Sequence, residues 1–99
     1  MEKFKNKTVV ITGASQGIGE AAARMFADLG ANVALLARSK NKIDKISSEI
    51  NLNGGKSIAI QCDVSNASQM ENAIRTTMKM FGSIDILIGN AGVIEPIKS

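Results

Sequence analysis

The stretch Thr8-Val9-Val10-Ile11-Thr12-Gly13-Ala14-Ser15-Gln16-Gly17-Ile18-Gly19-Glu20 decides how the chain folds. Its first residues are branched at Cβ and apolar, which suits a pleated, buried strand. A glycine-rich turn follows at once, and residues of helical period begin before the turn has ended. Backbone that must pass close to a pyrophosphate cannot carry side chains at the points of contact. The start of a helix there supplies unpaired N–H donors and the positive end of the helix dipole. The residues Gly13, Ala14, Ser15, Gln16, Gly17, Ile18 and Gly19 are therefore expected to hold a dinucleotide pyrophosphate. Their spacing is G-x-x-x-G-x-G, not the G-x-G-x-x-G of the general dinucleotide fingerprint. A mononucleotide phosphate loop is disfavoured, because no Gly-Lys-Ser/Thr follows. Turn geometry alone would explain the glycines, but it does not explain why they fall between a strand and a helix.

Outward from this unit the pattern repeats. Apolar runs at Thr8–Ile11, Val33–Leu36, Ile58–Ile60 and Ile84–Ile88 read as four strands whose starts lie 25 or 26 residues apart. That is the length of a strand, a turn, a helix and a turn. Between them, Ile18, Ala22, Met25, Phe26 and Leu29 recur at helical spacing. So do Ile43, Ile46 and Ile50, and then Met70, Ala73, Ile74, Thr77, Met78 and Phe81. Ser39 and Ser65 are the expected N-caps, and Gly30, Gly54 and Gly82 stand just past the last apolar residue of each helix. Strands this continuously apolar are covered on both faces, as parallel strands joined by helical crossovers are. The expected fold class is α/β, a Rossmann-type doubly wound parallel sheet with four strands in the order 3-2-1-4 and three helices. Periodicity by itself also fits part of a barrel or a flavodoxin-like sheet, so the motifs carry the choice.

Composition narrows the partners. The 99 residues carry 12 basic and 9 acidic side chains, for a net charge of +3, without a basic block, and their three aromatic residues are all Phe. Nucleic acid is an unexpected partner for such a surface. Cys62 is alone, so no internal disulfide can form, and a reducing, cytoplasmic setting is expected. Without a His to activate it, Cys62 reads as a small buried hydrophobe. The apolar run after the charged start is too short for a signal segment or a membrane span. No metal site is expected.

Each remaining motif falls at the carboxyl end of a strand, the edge where open parallel sheets bind ligands. After strand two, Arg38-Ser39 stands where a site for unphosphorylated ribose would place a carboxylate. A guanidinium there clamps a 2′-phosphate through charge-assisted bonds, which favours NADP over NAD. Gln16 adds no second cation from the glycine loop. Asp63-Val64 follows strand three, and Gly89-Asn90-Ala91-Gly92 follows strand four. Taken singly, Asp63 reads as a helix cap and Asn90 as a turn residue.

Together, Thr12-Gly13-x-x-x-Gly17-x-Gly19, Asp63-Val64 and Asn90-Ala91-Gly92 resemble the cofactor motifs of the classical short-chain dehydrogenase/reductase family, across nearly the whole chain. The resemblance implies pyrophosphate contact at Gly13 to Gly19, 2′-phosphate contact at Arg38 with help from Ser39, and adenine contact at Asp63 and Val64. It implies nicotinamide-ribose or strand-fixing contacts at Asn90, Ala91 and Gly92, with Gly89 standing where the family usually has another Asn. It also implies a catalytic Ser, a Tyr-x-x-x-Lys pair and a supporting Asn beyond strand four. None of these maps onto residues 1–99, which contain no Tyr. Residues 1–99 are thus expected to be a partial dinucleotide-binding domain whose catalytic half is absent. Hydride transfer with a small-molecule substrate belongs to a full-length form. The alternatives are a non-catalytic dinucleotide-binding module, or a split-gene remnant that pairs with a C-terminal fragment. Strand four, interior in the family, is expected here to become an exposed edge through which the chain self-associates.

Overall fold

A computed structural model describes residues 3–89 and 94–96 of the chain. The elements alternate: β1 (Thr8–Thr12), α1 (Gly17–Asp28), β2 (Asn32–Ala37), α2 (Lys40–Leu52), β3 (Lys56–Gln61), α3 (Ala67–Phe81), β4 (Ile86–Ile88) and β5 (Ile94–Pro96). They build one sheet in the order β3-β2-β1-β4-β5. The first four strands are parallel and stand in the expected order, with Val10 opposite Ala34 on one side and Leu87 on the other. All five residues of β1 are buried, as an interior strand covered on both faces must be.

The two faces divide β1 and β2 by the period of the pleat. Val9, Ile11, Val33 and Leu35 point towards α1 and α2, where Ile43, Ile46 and Ile50 close the core. Val10, Ala34 and Leu36 point the other way, onto Cys62 and Ala73, with Met70 and Leu87 half-buried around them. Helix α3 is the only described helix on that second face. Among the described residues, no helix is long and apolar enough to cross a membrane.

Three expectations are corrected. The apolar stripe of α1 is only in part its buried face: Gly19, Ala23 and Ala27 are buried and Ala22 and Phe26 pack partly buried against the core, whereas Ile18 is 80% exposed and Met25 51%. Small residues at i, i+4 and i+8 let the helix backbone lie close to the sheet, and Ile18 and Met25 are displaced outward. The N-cap of α3 is Asn66, not Ser65. The Ser65 hydroxyl donates to Asp63 Oδ1 at 2.7 Å, while Asn66 Oδ1 accepts from the Gln69 N–H at 3.1 Å. Finally, β4 is not the edge of the sheet. It is shorter than expected, and β5 pairs with it antiparallel, Ile88 opposite Ile94 and Ile86 opposite Pro96. Backbone groups expected to attract another chain are therefore taken up within the chain, and the self-association route through an open β4 loses its basis. The short segment Ile94-Glu95-Pro96 carries no alternation long enough to announce a strand, and a Pro is tolerated in sheets chiefly at an edge.

The three glycines expected past the helix ends are in place. Gly30, Gly54 and Gly82 all have positive φ, the conformation that closes a helix and turns the chain back to the sheet.

Candidate functional site

Parallel strands joined by helices bring every strand-to-helix connection to one edge of the sheet. Here those connections form a crevice of about 440 Å³, lined by Thr12, Gly13 and Ser15 after β1, by Ala37, Arg38 and Ser39 after β2, and by Cys62, Asp63, Val64 and Ser65 after β3. The structure thus gathers Gly13, Ser15, Arg38, Ser39, Asp63 and Val64, all expected site residues, from three loops. Thr12, Ala37, Cys62 and Ser65 line the same space without having been expected as site residues. Asn90, Ala91 and Gly92 lie outside the described residues. The strand leading to them ends beside β1, where Ile88 faces Ile11 and the Thr12 hydroxyl donates to the Ile88 carbonyl at 3.4 Å.

The glycine loop is shaped by two different constraints. At Gly19, a Cβ would collide with the Gly13 carbonyl group and come within 3.1 Å of Ala14 Cα, so the helix can meet the loop only without a side chain. At Gly17, φ is +59° and a Cβ would find nothing within 4 Å. That glycine is needed for its backbone conformation, and the space where a side chain would stand is open. Gln16 caps α1 without a side-chain bond. The first helical N–H bond of α1 runs from Glu20 to the Gln16 carbonyl at 3.3 Å, so the N–H groups of Gly17, Ile18 and Gly19 precede the intrahelical ladder. Ala14, by contrast, is buried and anchored, its N–H donating to the Leu36 carbonyl at 3.2 Å.

Arg38 and Ser39 are exposed at the start of α2. Ser39 is the N-cap residue, yet its hydroxyl makes no capping bond. Asp63 sits opposite, its Oδ1 accepting from both the Ser65 N–H and the Ser65 hydroxyl. Those bonds, and after them the charge of Arg38, hold the Asp63 carboxyl below its usual range, so it is ionised at neutral pH. The Asp63 N–H donates to Gln69 Oε1 at 2.7 Å, which fixes the turn. Asp63 therefore shapes its own loop and does not cap α3. Burial pushes the Cys62 thiol up, with the Asp63 charge adding to the shift, and Cys62 is 1% exposed. It is packing, as its lack of a base implied.

Two exposed apolar side chains, Ile18 and Val64, flank this edge. A second hollow, about 350 Å³, opens at the opposite edge, beside Gly30, Asn53, Gly54 and Gly55. There the helices end, so carbonyl groups and the negative ends of two helix dipoles face it. Asp28 and an Arg24 already engaged by Glu20 and Glu49 stand on its wall. Lys5 and Lys56 line this hollow as well, so it is the direction of the helices, with starts that lack a side-chain cap bond at the carboxyl edge, that distinguishes the two edges.

Comparison with known proteins agrees with this arrangement. The family model described as short chain dehydrogenase matches residues 7–99. The chain is 41% identical over 94 residues to a 3-oxoacyl-[acyl-carrier-protein] reductase of Synechocystis, covering 94% of this chain and 38% of the relative. It is 46% identical over 95 residues to a protein of Yarrowia lipolytica named a probable NADP-dependent mannitol dehydrogenase, covering 94% of this chain and 34% of that one. Among solved structures, a metagenomic short-chain oxidoreductase in complex with NADP superposes with a TM-score of 0.83 at 37% identity, covering 91% of this chain and 41% of that chain. The chain thus spans well under half the length of these relatives. With its motifs at one sheet edge and a family match over almost all of its residues, the chain belongs to the short-chain dehydrogenase family.

Proposed function

We propose that residues 1–99 form the cofactor-binding part of an oxidoreductase that moves a hydride between NADP(H) and a small alcohol or carbonyl compound. One observation carries the reading: α1 begins without a side-chain cap, on a loop whose Gly17 leaves open space, beside an exposed Arg38. This is a cradle for a dinucleotide phosphate chain with a cation at its ribose end. The residues present fit the group. The N–H groups of Gly17, Ile18 and Gly19 would hold the pyrophosphate, Arg38 and Ser39 the 2′-phosphate, and Asp63 and Val64 the adenine. Asn90, Ala91 and Gly92 are assigned to the nicotinamide ribose by the family resemblance. When bound, the nicotinamide supplies or receives the hydride. The chain's own part is to hold it in register and to make the 2′-phosphate count in the choice of cofactor. One relative is named for an oxoacyl compound and another for mannitol, which supports alcohol–carbonyl chemistry without choosing a substrate.

A second reading, a dinucleotide-binding module without turnover that pairs with a complementary segment, is favoured by the absence of Tyr and His from the 99 residues. Neither of the usual proton donors near neutrality is available in them. One pair of measurements tests what the two readings share. Titration with NADPH and NADH, followed by nicotinamide fluorescence, is expected to show binding with NADPH the tighter. No binding of either would overturn both readings. NADPH oxidation against a carbonyl panel is expected to be absent for residues 1–99 alone, and turnover by them would overturn the view that they are only the cofactor part.

A further inference from the structure

The connection from β2 into α2 carries four cations, and three of them have an anionic neighbour. Lys40 pairs with Asp44 at 2.6 Å, Lys45 lends its charge to Glu49, and Arg38 lends its own to Asp63. Lys42 is different. Its Nζ reaches Gln16 Oε1 at 3.5 Å, across 26 residues of sequence, and no carboxylate lies within ion-pair distance of it among the described residues. An ammonium group whose polar partner is a neutral amide oxygen keeps donors to spare. Gln16 belongs to the phosphate loop, and Lys42 stands on the first turn of α2, three residues past Ser39 on the crevice wall. The sequence alone presents a loop with no second cation at Gln16; the fold brings one to that place from the neighbouring helix.

We infer that Lys42 is a specificity-determining residue, a second cation for the cofactor's 2′-phosphate, reaching it from the glycine-loop side while Arg38 holds it from the end of β2. The inference rests on the reading of Arg38 as a 2′-phosphate ligand. A phosphate dianion gains from two cations placed on different sides, because each adds a charge-assisted bond that the unphosphorylated ribose cannot make. Lys42 is exposed, so its substitution leaves the core untouched.

Calorimetric titration of the full chain with 2′,5′-ADP, which carries the 2′-phosphate, and with 5′-ADP, which lacks it, tests the proposal. K42Q is expected to weaken 2′,5′-ADP by about 5- to 10-fold and to leave 5′-ADP within about twofold, a loss that shrinks as salt rises. K42R, which keeps the charge, is expected to bind both as the unsubstituted chain does. Unchanged affinity of K42Q for 2′,5′-ADP overturns the proposal, and so does an equal loss for both ligands. R38Q identifies which level has failed. If R38Q loses 2′,5′-ADP selectively and K42Q does not, Lys42 alone is removed from the role; if neither variant discriminates, the 2′-phosphate reading falls with it.

Discussion

The start of α3 and the starts of α1 and α2 solve the same problem in opposite ways. Every helix begins with N–H groups that its own turns cannot satisfy. Helix α3 satisfies them locally: Asn66 Oδ1 accepts from the Gln69 N–H, and Gln69 Oε1 in turn takes the Asp63 N–H. Helices α1 and α2 make no side-chain capping bond, although Gln16 and Ser39 stand at their N-cap positions. Their first turns border the glycine loop and Arg38. A capped start is finished as a structural element, whereas an uncapped one retains donors for something that arrives later. Substitutions in the two kinds of start should therefore separate stability from binding.

The largest effect is expected at Gly19, where the loop and the start of α1 are pressed together. Gly19→Ala drives a Cβ into the Gly13 carbonyl group and should cost about 2 to 3 kcal/mol of stability. It should also abolish NADPH binding, because the loop must shift. Urea unfolding and a fluorescence titration read both. Full binding with unchanged stability would mean that this close approach is unnecessary.

Next is Arg38→Asp, at the uncapped start of α2. Exchanging a cation for a carboxylate should weaken NADP relative to NAD by about 2 to 4 kcal/mol, hence by tens to hundreds of fold. Because Arg38 is exposed, the melting temperature should barely move. Equal losses for the two cofactors, seen in parallel titrations, would remove Arg38 from the role.

A paired substitution sharpens the comparison itself. Asn66→Ala should cost about 1 kcal/mol of stability and leave cofactor affinity alone, since it removes a bond that the helix uses. Ser39→Ala should do the reverse: at most a few tenths of a kcal/mol in stability, because no capping bond is lost, with a few-fold loss of NADP affinity. The same outcome for both would erase the distinction between the two kinds of helix start.

The smallest effect concerns acid. The Asp63 carboxyl is held below its unfolded value of 3.8, chiefly by the Ser65 hydroxyl and N–H. Its contribution is fully present above that value and is lost as pH falls through the depressed folded value. Asp63→Asn should therefore cost a little stability near neutrality, where the carboxylate contributes, and match the unsubstituted chain more closely as pH falls below about 4. A variant that alters stability equally at neutral and acid pH would show that the shape of Asp63, not its charge, holds the turn.

Much of this was legible in the residues because it depends on neighbours only a few positions away. The strand-turn-helix unit at Thr8–Glu20, the strand repeat of about 25 residues, and the glycines closing each helix follow from local sterics and hydrogen bonding. So did the buried place of Cys62. The motifs, more than the periodicity, selected the order in which β1 lies between β2 and β4.

What required tertiary structure is what depends on how closely separate elements approach. The buried face of α1 could be read only in part from its apolar residues, because the helix sits on the sheet through Gly19, Ala23 and Ala27, and only their packing shows that Ile18 and Met25 are turned outward while Phe26 is not. The choice of Asn66 over Ser65 turned on whether the serine hydroxyl was already engaged by Asp63. Strand β5 draws its definition from pairing with β4, not from a pattern of its own. The approach of Lys42 to Gln16 is of the same kind. The sequence by itself determined the sheet, its helices and the edge on which the motifs gather, since each is set by short-range preferences repeated along the chain. Which side chains share that edge was decided only when packing brought distant loops to one place.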